Sequence, residues 1–308
     1  MQYNNTNMIV IGGSNANNID KNLIKLLNAK GANLVHKRFP DGEQYVRIED
    51  SLAGKTVVIV QSLYPNQDSA LMELLLILEA VQALKPARVI TVVPYLAYAR
   101  QDKRFLTGEP ISVRVVLEAL NLYTKDTLIT IDIHKPESLK YFKGTSMNII
   151  PVKSIANALR RDINGLEKRD VVVIAPDKGA FRRAELLAKE LGDVDYDYLE
   201  KFRDRHTGEV IHKLKEVNVR GRIAILVDDI ISTGGTIAKA AKMLYDEGAR
   251  EVIAACSHGL FVDNALNKLA GSKITKVYST NTVPQPSGVR VVDVSTEIAE
   301  RIKEVVKS

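Results

Sequence analysis

At 308 residues, 45% of them apolar, the chain is long enough for two ordinary domains that each bury a core. No apolar run approaches the roughly 20 residues of a membrane helix, the start MQYNNTNMIV lacks the segments of a signal peptide, and the single cysteine, Cys256, excludes an internal disulfide or a cysteine-rich metal site. The lack of such apolar and signal segments leads to the expectation of a cytoplasmic protein with no membrane partner, and the net charge of +6, spread over interleaved acidic and basic residues with no long basic run, speaks against nucleic acid and for anionic small molecules.

In chain order, Met8 to Gly12 reads as a short strand, followed by a helix-like stretch from about Asp20 to Ala29. The segment LVHKRFPDGEQYVRIED then places two extended arms around Pro40, Asp41 and Gly42, which predicts a hairpin with Phe39 near its tip. Phe39 is either an ordinary packed aromatic or a ring presented to a flat ligand, with Asp41 and Glu43 as polar partners; residue statistics alone favour packing.

An internal repeat follows. From Gly54 the order is glycine, strand (Thr56 to Val60), loop, helix (about Ser69 to Leu84), Ala87-Arg88 and strand (Val89 to Val93); from Gly221 the same order recurs through strand Ile223 to Val227, helix about Thr236 to Glu247, Ala249-Arg250 and strand Glu251 to Cys256. Two such units predict an α/β protein of two duplicated domains, each with a mainly parallel sheet flanked by helices. Domain limits of 7–145 and 146–294 are expected, with the last helix, about 295–308, packing on the first domain. Gly54-Lys55-Thr56 resembles the end of a P-loop, but the glycine needed five positions earlier is Glu49 and the triplet precedes its strand, so that motif fails. No Gly-x-Gly-x-x-Gly follows a strand.

Between the repeats, Arg100, Gln101, Asp102 and Lys103 follow a strand's carboxyl end, where ligands of parallel sheets collect. His134 follows the strand Leu128 to Ile133, and Asp177 follows Val171 to Ala175; each is either a ligand or metal contact or an ordinary partly buried polar residue. The segment DYDYLEKFRDRHTGEVIHKL predicts a charged hairpin turning at His206, Thr207 and Gly208, with Lys201, Arg203 and Arg205 in its first arm or loop. It is a solvated hairpin or a cationic lid over phosphates.

The sharpest stretch is ILVDDIISTGGTIA, residues 225–238. A buried strand runs to Val227, Asp228 and Asp229 open the loop at its carboxyl end, and Ser232, Thr233, Gly234, Gly235 and Thr236 form a small-residue turn before a helix, whose first backbone N–H groups lack intrahelical partners and attract phosphate. Carboxylates repel phosphate, so the acidic pair is better suited to sugar hydroxyls or a divalent cation. A sugar phosphate is the implied ligand. In the first repeat Gln61 and Ser62 replace the acidic pair and the turn is missing, so the two halves should differ in their work.

VDDIISTGGTI at 227–237 resembles the phosphoribosyl pyrophosphate loop of the phosphoribosyltransferase fold. With RFPDGE at 38–43, YARQDK at 98–103, DIHKPE at 132–137, PDKG at 176–179, KFR at 201–203 and TNT at 280–282, the whole chain resembles the ribose-phosphate diphosphokinase (phosphoribosyl pyrophosphate synthetase) family. That resemblance implies two phosphoribosyltransferase-like domains, ATP and ribose 5-phosphate as substrates, Mg2+ as cofactor and a homo-oligomer of at least two chains, in which the Phe39 hairpin comes from a neighbouring subunit. It further implies that Phe39, Asp41, Glu43, Arg100, Gln101, Asp102 and Lys103 hold ATP, and that His134 and Asp177 are magnesium-associated. Asp228, Asp229, Ser232, Thr233, Gly234, Gly235 and Thr236 would bind ribose 5-phosphate, with Lys201 and Arg203 catalytic. The chain departs from bacterial and animal members at Lys178-Gly179-Ala180, where they usually have His-Gly-Gly, and at Ile231 and Ser232. A phosphoribosyltransferase and a non-catalytic regulator are the competing readings; neither needs the full set of motifs.

Overall fold

In the computed structural model the described residues are 7–124, 126–163, 165–203, 210–214 and 217–307, without the side chains of 201–203 and 210–214. Two compact units emerge. The first holds the chain up to Ile149, Asn281–Pro284 and the chain from Asp293 onward; the second holds Ile150–Thr280 and Gln285–Val292.

The first unit runs β1 (Met8–Gly12), α1 (Ile19–Leu27), β2 (Lys30–Gly31), β3 (Leu34–Arg38), β4 (Gln44–Ile48), β5 (Thr56–Val60), α2 (Gln67–Ala83), β6 (Arg88–Val93), α3 (Ser112–Leu120), β7 (Thr127–Ile131) and β8 (Thr145–Ile149). Its sheet has the order β2-β1-β5-β6-β7-β8 and every pairing in it is parallel. The sequence-based division at 145 to 146 falls at the first residue of β8, whose pairing with β7 carries this unit through Ile149. The strands β3 and β4 form a separate antiparallel hairpin.

The second unit comprises α4 (Val152–Leu159), β9 (Val171–Ala175), α5 (Phe181–Glu190), β10 (Asp195–Arg203), β11 (Val210–Leu214), β12 (Ile223–Ile231), α6 (Gly235–Asp246), β13 (Glu251–Gly259), α7 (Ala265–Gly271), β14 (Lys276–Thr280) and β15 (Arg290–Val292). Its sheet order is β11-β10-β9-β12-β13-β14-β15, parallel throughout except between β10 and β11.

The duplication runs deeper than the repeat read from sequence. β9, β12, β13 and β14 take the places in their sheet that β1, β5, β6 and β7 take in theirs, and each unit inserts an antiparallel hairpin before its second central strand. Backbone bonds repeat as well: Gly54 N–H donates to Lys85 C=O and Gly221 N–H to Gly248 C=O, closing the same strand-entry turn in both copies.

Composition explains the architecture. Central strands such as TVVIV and VVVIA are apolar at nearly every position, which suits parallel strands covered on both faces. In the second sheet, Val171, Val173 and Ile225 pack with α4 and α5 on one side, while Val172, Ile174, Ala224 and Leu226 pack with α6 and α7 on the other. Among the described residues no helix precedes β1 as α4 precedes β9. Its β1 face is covered by α1 and by α8 (Ser295–Lys307), which brings Ile298, Ile302 and Val305 against Met8, Val10, Leu23 and Val58. Arg88 Nη1 donates to Val305 C=O at 2.6 Å and fastens the end of α8.

α8 therefore acts as a core element of the first unit despite its place at the end of the chain. Ile302→Ala, at a fully buried position, is expected to lower stability in urea unfolding by about 2–5 kcal/mol. Leu122→Ala, 75% exposed, should change it by less than about 0.5 kcal/mol.

Candidate active site

In the second unit β12 does not stop before the acidic pair, as the sequence pattern suggested, but continues to Ile231. The neighbouring strand β13 also runs on, to Gly259, so pairing extends through Asp228 opposite Cys256 and Ile230 opposite His258. Asp228 and Asp229 are thus held within the paired strand, with their carboxyl groups close enough to each other to interact. Asp228 Oδ1 accepts the Asp229 N–H and Asp229 Oδ1 accepts the Ile230 N–H, both at 2.9 Å.

The two carboxylates differ in surroundings. Asp229 is buried, and Arg183 Nη2 of α5 lies 3.5 Å from its Oδ2. Burial, and then the like charge of Asp229, push the Asp228 carboxyl well above the ordinary carboxylate range. Arg183 appeared in the sequence only as one of two arginines on a predicted helix; its partner is set by the packing of α5 beside β12.

The turn after β12 leads into α6, for which Gly234 is the N-cap, with no side chain capping the helix start. Gly234 has φ of 75°, which favours glycine, and a Cβ there would make a tight 3.3 Å contact with the Ala265 carbonyl oxygen. Ser232 is half-buried, Thr233 and Thr236 are exposed, and Gly235 opens the helix. Unpartnered N–H groups and hydroxyls at the positive end of a helix suit a phosphate.

Asp177 begins the short turn before α5. Its Oδ1 accepts the Gly179 and Ala180 N–H groups at 2.7 and 3.3 Å, so one carboxylate oxygen is engaged in ordering the turn at Lys178, Gly179 and Ala180. Lys201 and Arg203 lie in β10, with Lys201 opposite His212 and Arg203 opposite Val210; their side chains, and the predicted turn with Arg205, His206, Thr207 and Gly208, lie outside the described residues.

In the first unit, Phe39 is 41% exposed at the tip of the β3–β4 hairpin and meets Tyr45 edge-on at 5.9 Å between centroids, with Lys37 Nζ 5.3 Å from the Phe39 ring centroid. It is thus a presented ring more than a packed one. Asp41 Oδ1 accepts the Glu43 N–H at 3.1 Å and shapes the tip, leaving the Glu43 side chain exposed. Arg100 and Lys103 are exposed, and Gln101 and Asp102 half-buried, in the loop after β6. Gln101 Nε2 donates to Glu109 Oε2 at 3.3 Å. That same oxygen accepts the Phe105 and Leu106 N–H groups, and these backbone bonds hold Glu109 below the usual carboxylate range. Glu109 is the loop's organiser and carries no motif that would mark it. His134 is half-buried three residues beyond β7, at the carboxyl end of its sheet.

No three His, Cys, Asp or Glu side chains converge into a metal cage among the described residues. Magnesium is usually held by one or two carboxylates together with water and substrate phosphates; the adjacent Asp228 and Asp229 fit that donor set. Cys256 is fully buried and burial pushes its thiol up to about 12, as expected of an inert core cysteine. Among the described residues no helix is long and apolar enough to cross a membrane.

Known proteins were compared with the chain. Residues 8–123 match a family model described as the N-terminal domain of ribose phosphate pyrophosphokinase, and 148–295 match the phosphoribosyl transferase domain. The chain is 46% identical over 298 residues to a ribose-phosphate pyrophosphokinase of Sulfurisphaera tokodaii, covering 96% of this chain and 100% of that one. It is 46% identical over 297 residues to the Sulfolobus acidocaldarius protein of the same name, covering 96% and 100%. A crystal structure of phosphoribosylpyrophosphate synthetase from Mycobacterium smegmatis superimposes with a TM-score of 0.86 at 29% identity, covering 98% of this chain and 99% of that one.

The raised Asp228 carboxyl makes a signed prediction. Its ionisation is disfavoured in the fold, so the penalty is absent below the ordinary carboxylate range and grows as pH rises through the raised value. Asp228→Asn should therefore raise the melting temperature of the ligand-free protein at pH 7, with the gain vanishing near pH 3, as followed by calorimetry across pH.

Proposed function

This chain belongs to the ribose-phosphate pyrophosphokinase family, and on that premise we propose how its residues divide the work. The enzyme transfers the diphosphoryl group of ATP to the anomeric hydroxyl of ribose 5-phosphate, giving 5-phosphoribosyl 1-diphosphate and AMP. One observation carries the assignment of the acceptor. A rigid acidic strand end runs directly into a helix start that no side chain caps, so sugar hydroxyls and a phosphate are served by consecutive residues.

Asp228 and Asp229 engage the ribose hydroxyls, and the 5-phosphate is held by Ser232, Thr233, Gly234, Gly235 and Thr236 through hydroxyls and the N–H groups at the start of α6. ATP is held by Phe39 and Arg100 against the adenine ring, with Asp41 and Glu43 at its edge and Gln101, Asp102 and Lys103 continuing the nucleotide site. The presented Phe39 ring, exposed at a hairpin tip, supports service to a neighbouring subunit and hence a homo-oligomer of at least two chains. His134 and Asp177 are the metal-associated side chains, with Asp228 and Asp229 contributing. Bound magnesium supplies neutralisation of the phosphate charge. A cytoplasmic location suits ATP as substrate.

In the transfer, the ribose O1–Pβ bond forms as the bond from Pβ to the oxygen bridging it to the α-phosphate breaks; AMP leaves with that electron pair, and the proton of the anomeric hydroxyl is released to solvent. Negative charge spreads over the transferring oxygens, so positioning and cationic groups matter more than a protein nucleophile. Lys201 and Arg203, on the long arm of the second-domain hairpin, supply that cationic charge. A phosphoribosyltransferase would use residues 228–236 but has no role for a pyrophosphokinase N-terminal domain.

Incubation with ATP, ribose 5-phosphate and magnesium, followed by phosphorus NMR, should give AMP and 5-phosphoribosyl 1-diphosphate in equal amounts; absence of nucleotide turnover rejects the assignment. Lys201→Ala and Arg203→Ala should each lower kcat by roughly 10²-fold or more with smaller changes in KM, and wild-type turnover in both removes them from the catalytic role.

A further inference from the structure

The carboxylate of Glu73, on α2, is 1% exposed yet surrounded by polar groups. Its Oε1 accepts the Ser14 N–H at 2.7 Å, its Oε2 accepts Gln61 Nε2–H at 3.0 Å, and the Ser14 hydroxyl donates to Oε2 as well. Gln61 Oε1 in turn accepts the Asn15 N–H at 3.0 Å. The loop after β1 thus offers successive N–H groups that are filled by acceptors from within the protein. The fit is close: a Cβ on Gly13 would lie 2.4 Å from Gln61 Oε1 and 3.3 Å from Glu73 Oε1.

That fixed carboxylate faces the hairpin. His36 Nδ1 of β3 lies 3.9 Å from Glu73 Oε1, and the other ring nitrogen is 3.0 Å from Gln44 Oε1 on β4. Gln44 Nε2 then donates to the Ser69 carbonyl of α2 at 2.8 Å, and Arg38 Nη2 donates to the Ser69 hydroxyl at 2.6 Å while its Nη1 donates to the Gly42 carbonyl at 2.7 Å. Ser69 and Glu73 are four residues apart and so share one face of α2. Both arms of the hairpin and its tip are therefore tied, through His36, Gln44 and Arg38, to one helix face whose own position is set by a buried carboxylate.

We propose that Glu73 and His36 are positioning residues for the nucleotide site, forming with Ser69 a clamp on α2 that sets where the β3–β4 hairpin presents Phe39. The inference rests on the reading of Phe39 as an adenine contact. Neither residue touches the nucleotide; each acts through the hairpin. Misplacing a presented ring by a fraction of its own width weakens its ligand without altering groups elsewhere, so the effect should fall on ATP alone.

The test is steady-state kinetics of the full-length enzyme with ATP and ribose 5-phosphate varied separately, alongside melting temperatures. His36→Ala, at a half-buried position, should raise KM for ATP about tenfold with KM for ribose 5-phosphate within about twofold of wild type. His36→Gln, whose amide reaches the Nε2 position and keeps a donor toward Gln44, should recover part of the loss, and Glu73→Gln, which keeps oxygen and nitrogen but removes the charge, should shift the same constant. Phe39→Ala runs in parallel. If it raises KM for ATP while His36→Ala and Glu73→Gln do not, the clamp is overturned and the adenine reading stands. If Phe39→Ala itself leaves KM for ATP unchanged, the adenine reading falls and the clamp falls with it. A parallel rise in both KM values with a lowered melting temperature would mark general structural damage and likewise overturn the positioning role.

Discussion

The structure depends on the demand of a parallel sheet for cover on both faces. Strands such as Thr56–Val60 and Val171–Ala175 have apolar side chains on each side and cannot leave either to water. Meeting that demand fixes where helices go, and crossover connections place the loops that leave the strands at their carboxyl ends. The acidic pair and the residues around Arg100, His134 and Asp177 all occur at or beyond carboxyl ends of parallel strands. The same demand explains α8, which supplies cover to the first sheet from the far end of the chain, the counterpart of what α4 supplies to the second.

Duplication provided two scaffolds of one design, and a few substitutions separated their chemistry. Where the second copy carries Asp228 and Asp229 within β12, the first ends β5 at Val60 and continues into Gln61 and Ser62. Gln61 there binds inward, to Asn15, Ala70 and Glu73, and Ser62 Oγ donates to Thr282 C=O at 2.5 Å. Internal acceptors occupy the backbone donors of that loop. Neither α2 nor α6 has a capping side chain at its start, so what sets the second copy apart is the small-residue turn Ser232 to Thr236 that lets an anion approach the start of α6. Each copy also carries a hairpin at the same point of the topology, one with an aromatic tip and one with a cationic arm.

Much of this was legible in the chain. The repeat from Gly54 and Gly221 located strands, helices and the duplication, because apolar runs and glycine punctuation are local signals. The small-residue turn at 232–236 and the hairpin turn at 39–43 were readable for the same reason. Legibility failed where a neighbour decided. Asp228 and Asp229 read as loop residues because carboxylates are poor strand formers, yet β13 extends beside them and keeps β12 paired. Glu109 and Glu73 stood in no motif, since their partners are backbone N–H groups and side chains from elsewhere in the fold.

By itself the sequence determined the fold class, the duplication and the family, since these rest on the order of apolar runs, turns and motifs along the chain. Tertiary structure alone decided the unequal surroundings of two adjacent carboxylates, through burial and the approach of Arg183. It also decided that α8 completes the first domain and that the Phe39 hairpin docks on Ser69 and Glu73. Such facts depend on distances between residues far apart in the chain, and electrostatic and packing energies follow those distances, not the spacing along the sequence.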